Sequence, residues 1–281
     1  MSGRPPIAPL PEPSRVPRRG WHCSHFCYRF DRARIQQLSA DQIRAGCEAF
    51  TAAWNPDQSQ RPARMQTYLT SGHRADWIAM IMDPDPLKID AIHQAVLAGP
   101  LGSAIEPTWS FVSMSEVSEY VPDVQQYKAR LLAEGESEDS ATLAAKVNAY
   151  EQRLPMMNRQ RLSPDFPDWP AACFYPMNKS RVVGANWFTE PFSRRNQLMA
   201  EHARSGIAFA GRVSQVITVG VGLDDWEWMV TLWGRNPEYL REIVYKMRFD
   251  EASAVYAEFG PFFVGYRCTG EEILAHCRIA S

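Results

Sequence analysis

Tyr175 and Lys179 stand four residues apart in the run Phe174-Tyr175-Pro176-Met177-Asn178-Lys179-Ser180-Arg181, and His202 follows on a helical pattern. Pro176 disfavours helix for the residue before it, so the run reads as a strand. Along a strand Tyr175, Met177 and Lys179 share one face. That face offers a phenol, which can be oxidised or donate a hydrogen bond, and an ammonium, which can hold a carboxylate. His202 adds an imidazole able to ligate a metal. Together the three point to redox chemistry on a carboxylate-bearing cofactor.

These groups need a scaffold, and the pattern from Trp21 onward supplies one. It predicts a strand over 22–31, a helix over 40–54, a hairpin of strands 65–70 and 76–82 around Ser71-Gly72-His73-Arg74, a Pro86-started helix to 98, and a strand over 108–115. The same order returns as strand 172–181, helix 191–204, hairpin 207–221 and 226–233 around Gly222-Leu223-Asp224-Asp225, helix 237–248 and strand 262–267. Trp77 and Pro86 are nine apart, as are Trp228 and Pro237, and an acidic residue precedes each Trp (Asp76, Glu227). A duplication explains this better than chance.

Each half is a split βαβ unit, βαββαβ, of the ferredoxin-like kind. The expected fold is α+β: two such repeats forming an antiparallel, barrel-like core with helices outside, as in dimeric α/β barrels. Residues 21–115 are the first half and 171–270 the second, which carries the chemistry. Residues 116–170 form a helical connector, helical over 139–154, with 158–162 leading back to the second half. Residues 271–281 are a C-terminal tail. Residues 1–20 hold six Pro and four Arg, a composition expected to stay disordered.

Composition excludes several classes. The 30 Lys and Arg against 32 Asp and Glu give no basic surface for nucleic acid. No apolar run spans a bilayer and no signal core opens the chain, so neither a membrane partner nor export is expected, and the cytoplasm is. Six cysteines are scattered through a chain too large to need staples. His22, Cys23, His25 and Cys27, and likewise Cys268, His276 and Cys277, lack a second matching pair at zinc-site spacing and are expected to be structural. Nine Trp can line a wide flat pocket, although most are expected to be core.

The second half resembles the chlorite dismutase-like superfamily and, within it, the coproheme decarboxylases of bacterial haem synthesis. The resemblance runs from about 169 to 265. It is carried by Cys173-Phe-Tyr-Pro-Met-Asn-Lys179, Glu201-His202, Gly222-Leu-Asp-Asp-Trp-Glu-Trp228, Lys246-Met-Arg-Phe-Asp-Glu-Ala-Ser253 and Glu258-Phe-Gly-Pro-Phe-Phe-Val-Gly265. The first half agrees only in element order.

What the resemblance implies is specific. Iron porphyrin binds in the C-terminal half with His202 as its proximal iron ligand, in a protein usually assembled as a homopentamer. Ala203 departs from the family's glycine after that histidine. Gln215 falls at the distal position, where chlorite dismutases carry an arginine whose fixed charge can hold an anion. A neutral glutamine disfavours chlorite decomposition. Tyr175 corresponds to a tyrosine oxidised to a radical by hydrogen peroxide acting through the porphyrin, and Lys179 to a lysine that assists at the propionate. Arg161, Arg248 and Ser253 correspond to groups that hold the other propionates, and Trp228 lies near the pocket.

The implied function is peroxide-dependent decarboxylation of two propionates of iron coproporphyrin III (coproheme) to give haem b, with transient contact with a ferrochelatase. The alternatives are a chlorite dismutase or haem peroxidase, and a haem-binding or haem-sensing protein without turnover.

Overall fold

The structure, a computed structural model, describes residues 11–279. Half of the proline-rich tail, residues 1–10, and residues 280–281 lie outside the described residues. In chain order the strands are β1 His22–Phe30, β2 Arg64–Leu69, β3 Trp77–Asp83, β4 Ile105–Ser115, β5 Ala171–Lys179, β6 Arg181–Val182, β7 Ala185–Asn186, β8 Val213–Val219, β9 Trp228–Gly234, β10 Ala257–Phe259 and β11 Phe263–Cys268. The helices are α1 Arg32–Ile35, α2 Ala40–Trp54, α3 Pro86–Ala98, α4 Val124–Ala133, α5 Ala141–Leu162, α6 Phe192–Ile207, α7 Pro237–Met247, α8 Glu251–Ala254 and α9 Gly270–His276.

The duplication is present. β1-α2-β2-β3-α3-β4 and β5-α6-β8-β9-α7-β11 are equivalent units, and their strands order equivalently, as β4-β1-β3-β2 and β11-β5-β9-β8. The units join edge to edge through β4–β8 and β11–β2. Because β9 also pairs with β5, every strand of the large sheet except β10 belongs to one antiparallel ring. Its joints are thin. β4–β8 has two residue pairs, Met114↔Val219 and Ser115↔Thr218, and β11–β2 has three.

Packing inside the barrel-like core holds what the thin joints do not. Cys23, Phe111, Phe174, Met229, Trp233 and Phe263, from both halves, share one buried cluster. Polar groups there are paired across it: the Trp233 indole N–H donates to Tyr68 Oη (2.8 Å), and His25 Nε2 meets Thr231 Oγ1 (3.0 Å). Burial holds the His25 imidazole at a pKa of about 3, so it is a neutral core histidine, and pushes the Cys23 thiol up to about 12.

Helix ends follow their caps. Ser39 and Gln42 make a capping box for α2, and Asp85 caps α3 ahead of Pro86, so both helices keep the predicted bounds. Two expectations are corrected. The strand expected over 207–221 is only Val213–Val219: α6 runs on through Ile207, and a turn with Gly211 at φ 78° separates them. The connector's 158–162 segment is the end of one 22-residue helix, α5, that continues through Pro155. A lone proline costs that helix a hydrogen bond without ending it. The C-terminal tail includes α9, whose Ile273 and Leu274 are buried in the first half's core. Residues 11–20 form neither helix nor strand, yet Arg15 pairs with Asp85 through both carboxylate oxygens (2.8 and 2.9 Å).

The halves differ in how their helices meet the outer face of the sheet. In the first half, Trp77 is fully buried, stacked on Tyr28 (4.1 Å between centroids), with Phe50 and Trp54 of α2 edge-on at 5.3 Å each. In the second half, α6 buries only Leu198, which packs with Trp187, Ala252 and Tyr256. Trp228, the repeat counterpart of Trp77, is only half-buried. Trp77→Ala is therefore expected to cost roughly 3–5 kcal/mol in urea unfolding, and Trp228→Ala clearly less. Equal losses would show that both positions serve packing alone.

Candidate functional site

Strand register assembles one outer face. In adjacent rows, Cys173 pairs with Leu232 and Leu232 with Gln215; Tyr175 with Val230 and Val230 with Ile217; Met177 with Trp228 and Trp228 with Val219. Partners in an antiparallel row project to the same side. Tyr175, Lys179, Gln215 and Trp228 thus share a face, as the sequence pattern predicted for the first two. Pro176 sits where β5 exchanges β11 for β10 as neighbour, so its missing N–H breaks no ladder.

Tyr175 is 5% exposed, stacked on Phe262 (4.4 Å) and edge-on to Phe259 (5.5 Å). Both phenylalanines flank the turn between β10 and β11. Gly260 lies in that turn, where a Cβ would come within 2.7 Å of Pro176 Cγ and 2.8 Å of the Trp226 ring. Burial pushes the Tyr175 phenol above its usual pKa, so it is protonated, and oxidising it means releasing a proton as well.

Lys179 is buried too. Its backbone N–H donates to Glu227 Oε2 (2.9 Å), and Glu227 also pairs with Arg181. Its Nζ donates to Ala252 O (3.0 Å) and lies 4.2 Å from the centre of the Trp187 ring. Burial draws the ammonium's pKa down to about 8, with Glu227 opposing. Four strand residues span about 13 Å, so Lys179 and Tyr175 share a face without touching, and whatever they both act on must lie between them.

The first half shows where these two come from. Tyr28 pairs with Trp77 as Met177 pairs with Trp228, and the Phe30 N–H donates to Asp76 as that of Lys179 does to Glu227. By that register Phe26 and Phe30 are the counterparts of Tyr175 and Lys179. The phenol and the ammonium stand where the other half has phenyl rings.

His202 projects from α6. Its Nδ1 lies 3.2 Å from Asp250 Oδ2 and 3.5 Å from Ser253 Oγ, and Ser205 donates to the other oxygen of Asp250 (2.7 Å). The Nδ1 contact with Asp250 has the distance of an ion pair but not the alignment of a hydrogen bond. Burial lowers the His202 pKa, Asp250 opposes and Lys179 adds to the lowering. A neutral imidazole with Nδ1–H toward a carboxylate leaves Nε2 with its lone pair free, the usual arrangement of a metal-binding histidine. One turn on, a Cβ at Gly206 would lie 3.7 Å from Gln215 Nε2, so Gln215 reaches from the sheet to the helix that carries His202. α6 continues unbroken through Ala203, so the departure from glycine there does not end the helix.

The remaining residues are placed less evenly. Ser253 is buried beside His202. Arg161 ends α5, where Leu162 O accepts from Ser115 Oγ (2.6 Å) at the β4–β8 joint; its Nη1 is buried without a partner. Arg248, at the end of α7, is exposed. Asp250, Ser205, Glu227 and Trp187 were not singled out from sequence, although Asp250 lies inside a quoted motif and Glu227 repeats Asp76. Elsewhere, a cavity of about 80 Å³ lies beside Arg61 and Arg267, and a groove of about 470 Å³ beside Ala52 and Ala95. Neither includes any of the residues above.

Five buried side-chain polar atoms among the described residues lack a hydrogen-bond partner: two are indoles of the first half's aromatic stack, the others Asn158 Oδ1, Arg161 Nη1 and Asp250 Oδ2. Native proteins leave few such groups unpaired. A free imidazole nitrogen, an ammonium and an unpaired guanidinium suit a ligand that combines a metal with carboxylates.

Comparison with known proteins agrees with this chemistry. The family model of chlorite dismutases matches residues 41–268. A coproheme decarboxylase of Oceanobacillus iheyensis is 31% identical over 263 residues, covering 92% of this chain and 96% of that protein. A heme-binding protein from Thermus thermophilus superposes with a TM-score of 0.74 at 29% identity, over 92% of this chain and 95% of that one. A mutant chlorite dismutase from Candidatus Nitrospira defluvii has a TM-score of 0.68 at 16% identity over 94% and 99%, a likeness of fold.

Since Asp250 holds the His202 pKa up against burial, Asp250→Asn is expected to lower it. An NMR titration of the His202 ring in the porphyrin-free protein checks this, and an unchanged pKa would remove Asp250 as its electrostatic partner.

Proposed function

Because the chain belongs to the chlorite dismutase family, we propose that it binds iron coproporphyrin III and converts it to haem b, removing two propionate carboxyls with hydrogen peroxide as oxidant. The observation that carries this reading is the pair Tyr175 and Lys179 on the face that Gln215 shares, with His202 on the helix that Gln215 reaches. The likeness to a coproheme decarboxylase supports the same choice of substrate.

The balance for each propionate is simple. A propionate, a proton and hydrogen peroxide give a vinyl group, carbon dioxide and two waters; the propionate loses two electrons and the peroxide gains them. The bound iron porphyrin supplies the oxidising power when peroxide reacts with it. This chain's residues do the rest. His202 would hold the iron through Nε2, while Asp250 orients the ring from Nδ1. Tyr175 would give up an electron and its phenolic proton, and the resulting tyrosyl radical would take a hydrogen atom from the propionate β-carbon; loss of carbon dioxide, with the second electron passing to the same oxidant, would leave the vinyl group. Lys179 holds the reacting carboxylate by a charge-assisted hydrogen bond.

Gln215 can hydrogen-bond peroxide or water but brings no fixed charge to an oxychlorine anion, which weighs against a chlorite dismutase. Arg161, Ser253 and, from the surface, Arg248 bind the other carboxylates, and the half-buried Trp228 borders the macrocycle. A homopentameric assembly, residence in the cytoplasm and a transient contact with a ferrochelatase belong to the same reading, supported by the resemblance alone. Among the described residues no helix is long and apolar enough to cross a membrane.

The test adds peroxide stepwise to protein loaded with iron coproporphyrin III and follows porphyrin mass. Stepwise loss of two carboxyls is expected; unchanged porphyrin, with oxygen evolved from chlorite, would sink the reading. Tyr175→Phe should still bind coproheme while decarboxylation falls to background, and surviving activity would remove the tyrosine from the mechanism.

The pH dependence follows from Lys179. The useful form is the ammonium, whose share falls as pH rises through about 8 in the free protein. kcat/KM for coproheme, which reports the free enzyme, should decline above that pH. Lys179→Arg, charged throughout, should lose that limb; an identical limb in the variant would assign it to another group.

A further inference from the structure

The end of α5 carries two unsatisfied groups one turn apart. Arg161 Nη1 is a buried donor without an acceptor, and Asn158 Oδ1 a buried acceptor without a donor. Residues three apart on a helix lie on one face. Arg161 has no ion pair among the described residues, and burial depresses its pKa with only the Tyr150 phenol opposing. Arg161 is only partly buried, but its shielded Nη1 has no acceptor, and a buried donor left unsatisfied is costly. The stretch is not loose: Leu162 O is tied to Ser115, which pairs with Thr218 of β8, the strand that carries Gln215.

We propose that Asn158 and Arg161 together form a recognition site for one carboxyl group of the porphyrin, with Asn158 the specificity-determining residue beside the arginine. The inference rests on the reading that this chain binds coproheme. A carboxyl group is the simplest partner for the pair. Its oxygens accept from the guanidinium and, with the amide turned, from the amide NH2. Hydrogen bonds of this charged kind are about twice as strong as neutral ones. A porphyrin with four propionates needs such sites beyond the one that reacts, and Asn158 carries no charge of its own to repel a carboxylate.

The test is equilibrium binding, followed by the porphyrin's absorbance. Asn158→Leu is expected to weaken coproheme binding by roughly tenfold. Asn158→Asp, which keeps the shape, should weaken it further at neutral pH because its carboxylate takes Arg161 for itself. Iron coproporphyrin tetramethyl ester, which offers neither carboxylate nor acid proton, should bind both variants as it binds the parent. The double variant with Arg161→Leu should lose less than the product of the single losses, since both residues hold one group.

Unchanged coproheme affinity in Asn158→Asp, or equal weakening for acid and ester, would overturn the proposal. A parent protein that binds coproheme without decarboxylating it leaves the site standing and refutes the enzymatic reading. One that binds no coproheme refutes both before any variant is made.

Discussion

A carboxylate, buried in Glu227 and partly buried in Asp76, that accepts the backbone N–H ending the neighbouring strand sets the geometry on which the site depends. Asp76 does this for Phe30 and Glu227 for Lys179, each just before the tryptophan that opens the next strand. Because the contact is to backbone, it fixes register whatever side chain stands there. A one-residue slip would turn every side chain to the opposite face, taking Tyr175 and Lys179 into the barrel together. With register held, the second half can place a phenol and an ammonium where the first has two phenylalanines. Arg181 pairs with Glu227 at the strand end where Lys179 begins its path to Ala252 and Trp187.

The same duplication explains why only one half offers a site. A ferredoxin-like unit must cover its outer sheet face, and α2 does so with Phe50 and Trp54 driven against Trp77. The indoles of Trp54 and Trp77 are left without partners, a cost accepted for a filled slot. α6 is built differently. Ala203, Ser205 and Gly206 replace bulky residues in its last turns, its single buried residue packs away from the strands, and Gln215 rather than an aromatic group meets it. One half is closed by its own side chains, and the other keeps polar groups turned toward its helix.

Much of this was readable in the sequence, for reasons that are local. Ser39, Asp85 and Pro86 mark helix starts through capping, and Trp77-to-Pro86 against Trp228-to-Pro237 revealed the repeat. Strand alternation alone put Tyr175 and Lys179 on one face. What could not be read depends on tertiary meetings. Asp250 reaches His202 only because the α7–α8 turn lies beside α6, and Lys179 turns toward Trp187 because the chain folds back after β5. Local signals also misled. The strand expected from 207 took in what is the end of α6 and a turn, and the helix expected to end at 154 runs on through Pro155.

The electrostatics of Lys179, His202 and Arg161 support the proposed ligand class. Lys179, His202 and Arg161 all have pKa values lowered chiefly by burial, and Lys179 lowers that of His202 further. The nearby carboxylates are already engaged, Glu227 with Arg181 and the Lys179 backbone, Asp250 with Ser205 and His202. A neutral flat molecule would leave those three groups as poorly solvated as before. Carboxylates raise the pKa values of Lys179 and Arg161, and a metal takes the free lone pair of His202, so part of the binding energy of such a ligand is the relief of a strain that folding built in. The proposed ligand, with several carboxylates around a metal centre, offers a partner to each of Arg161, Lys179 and His202.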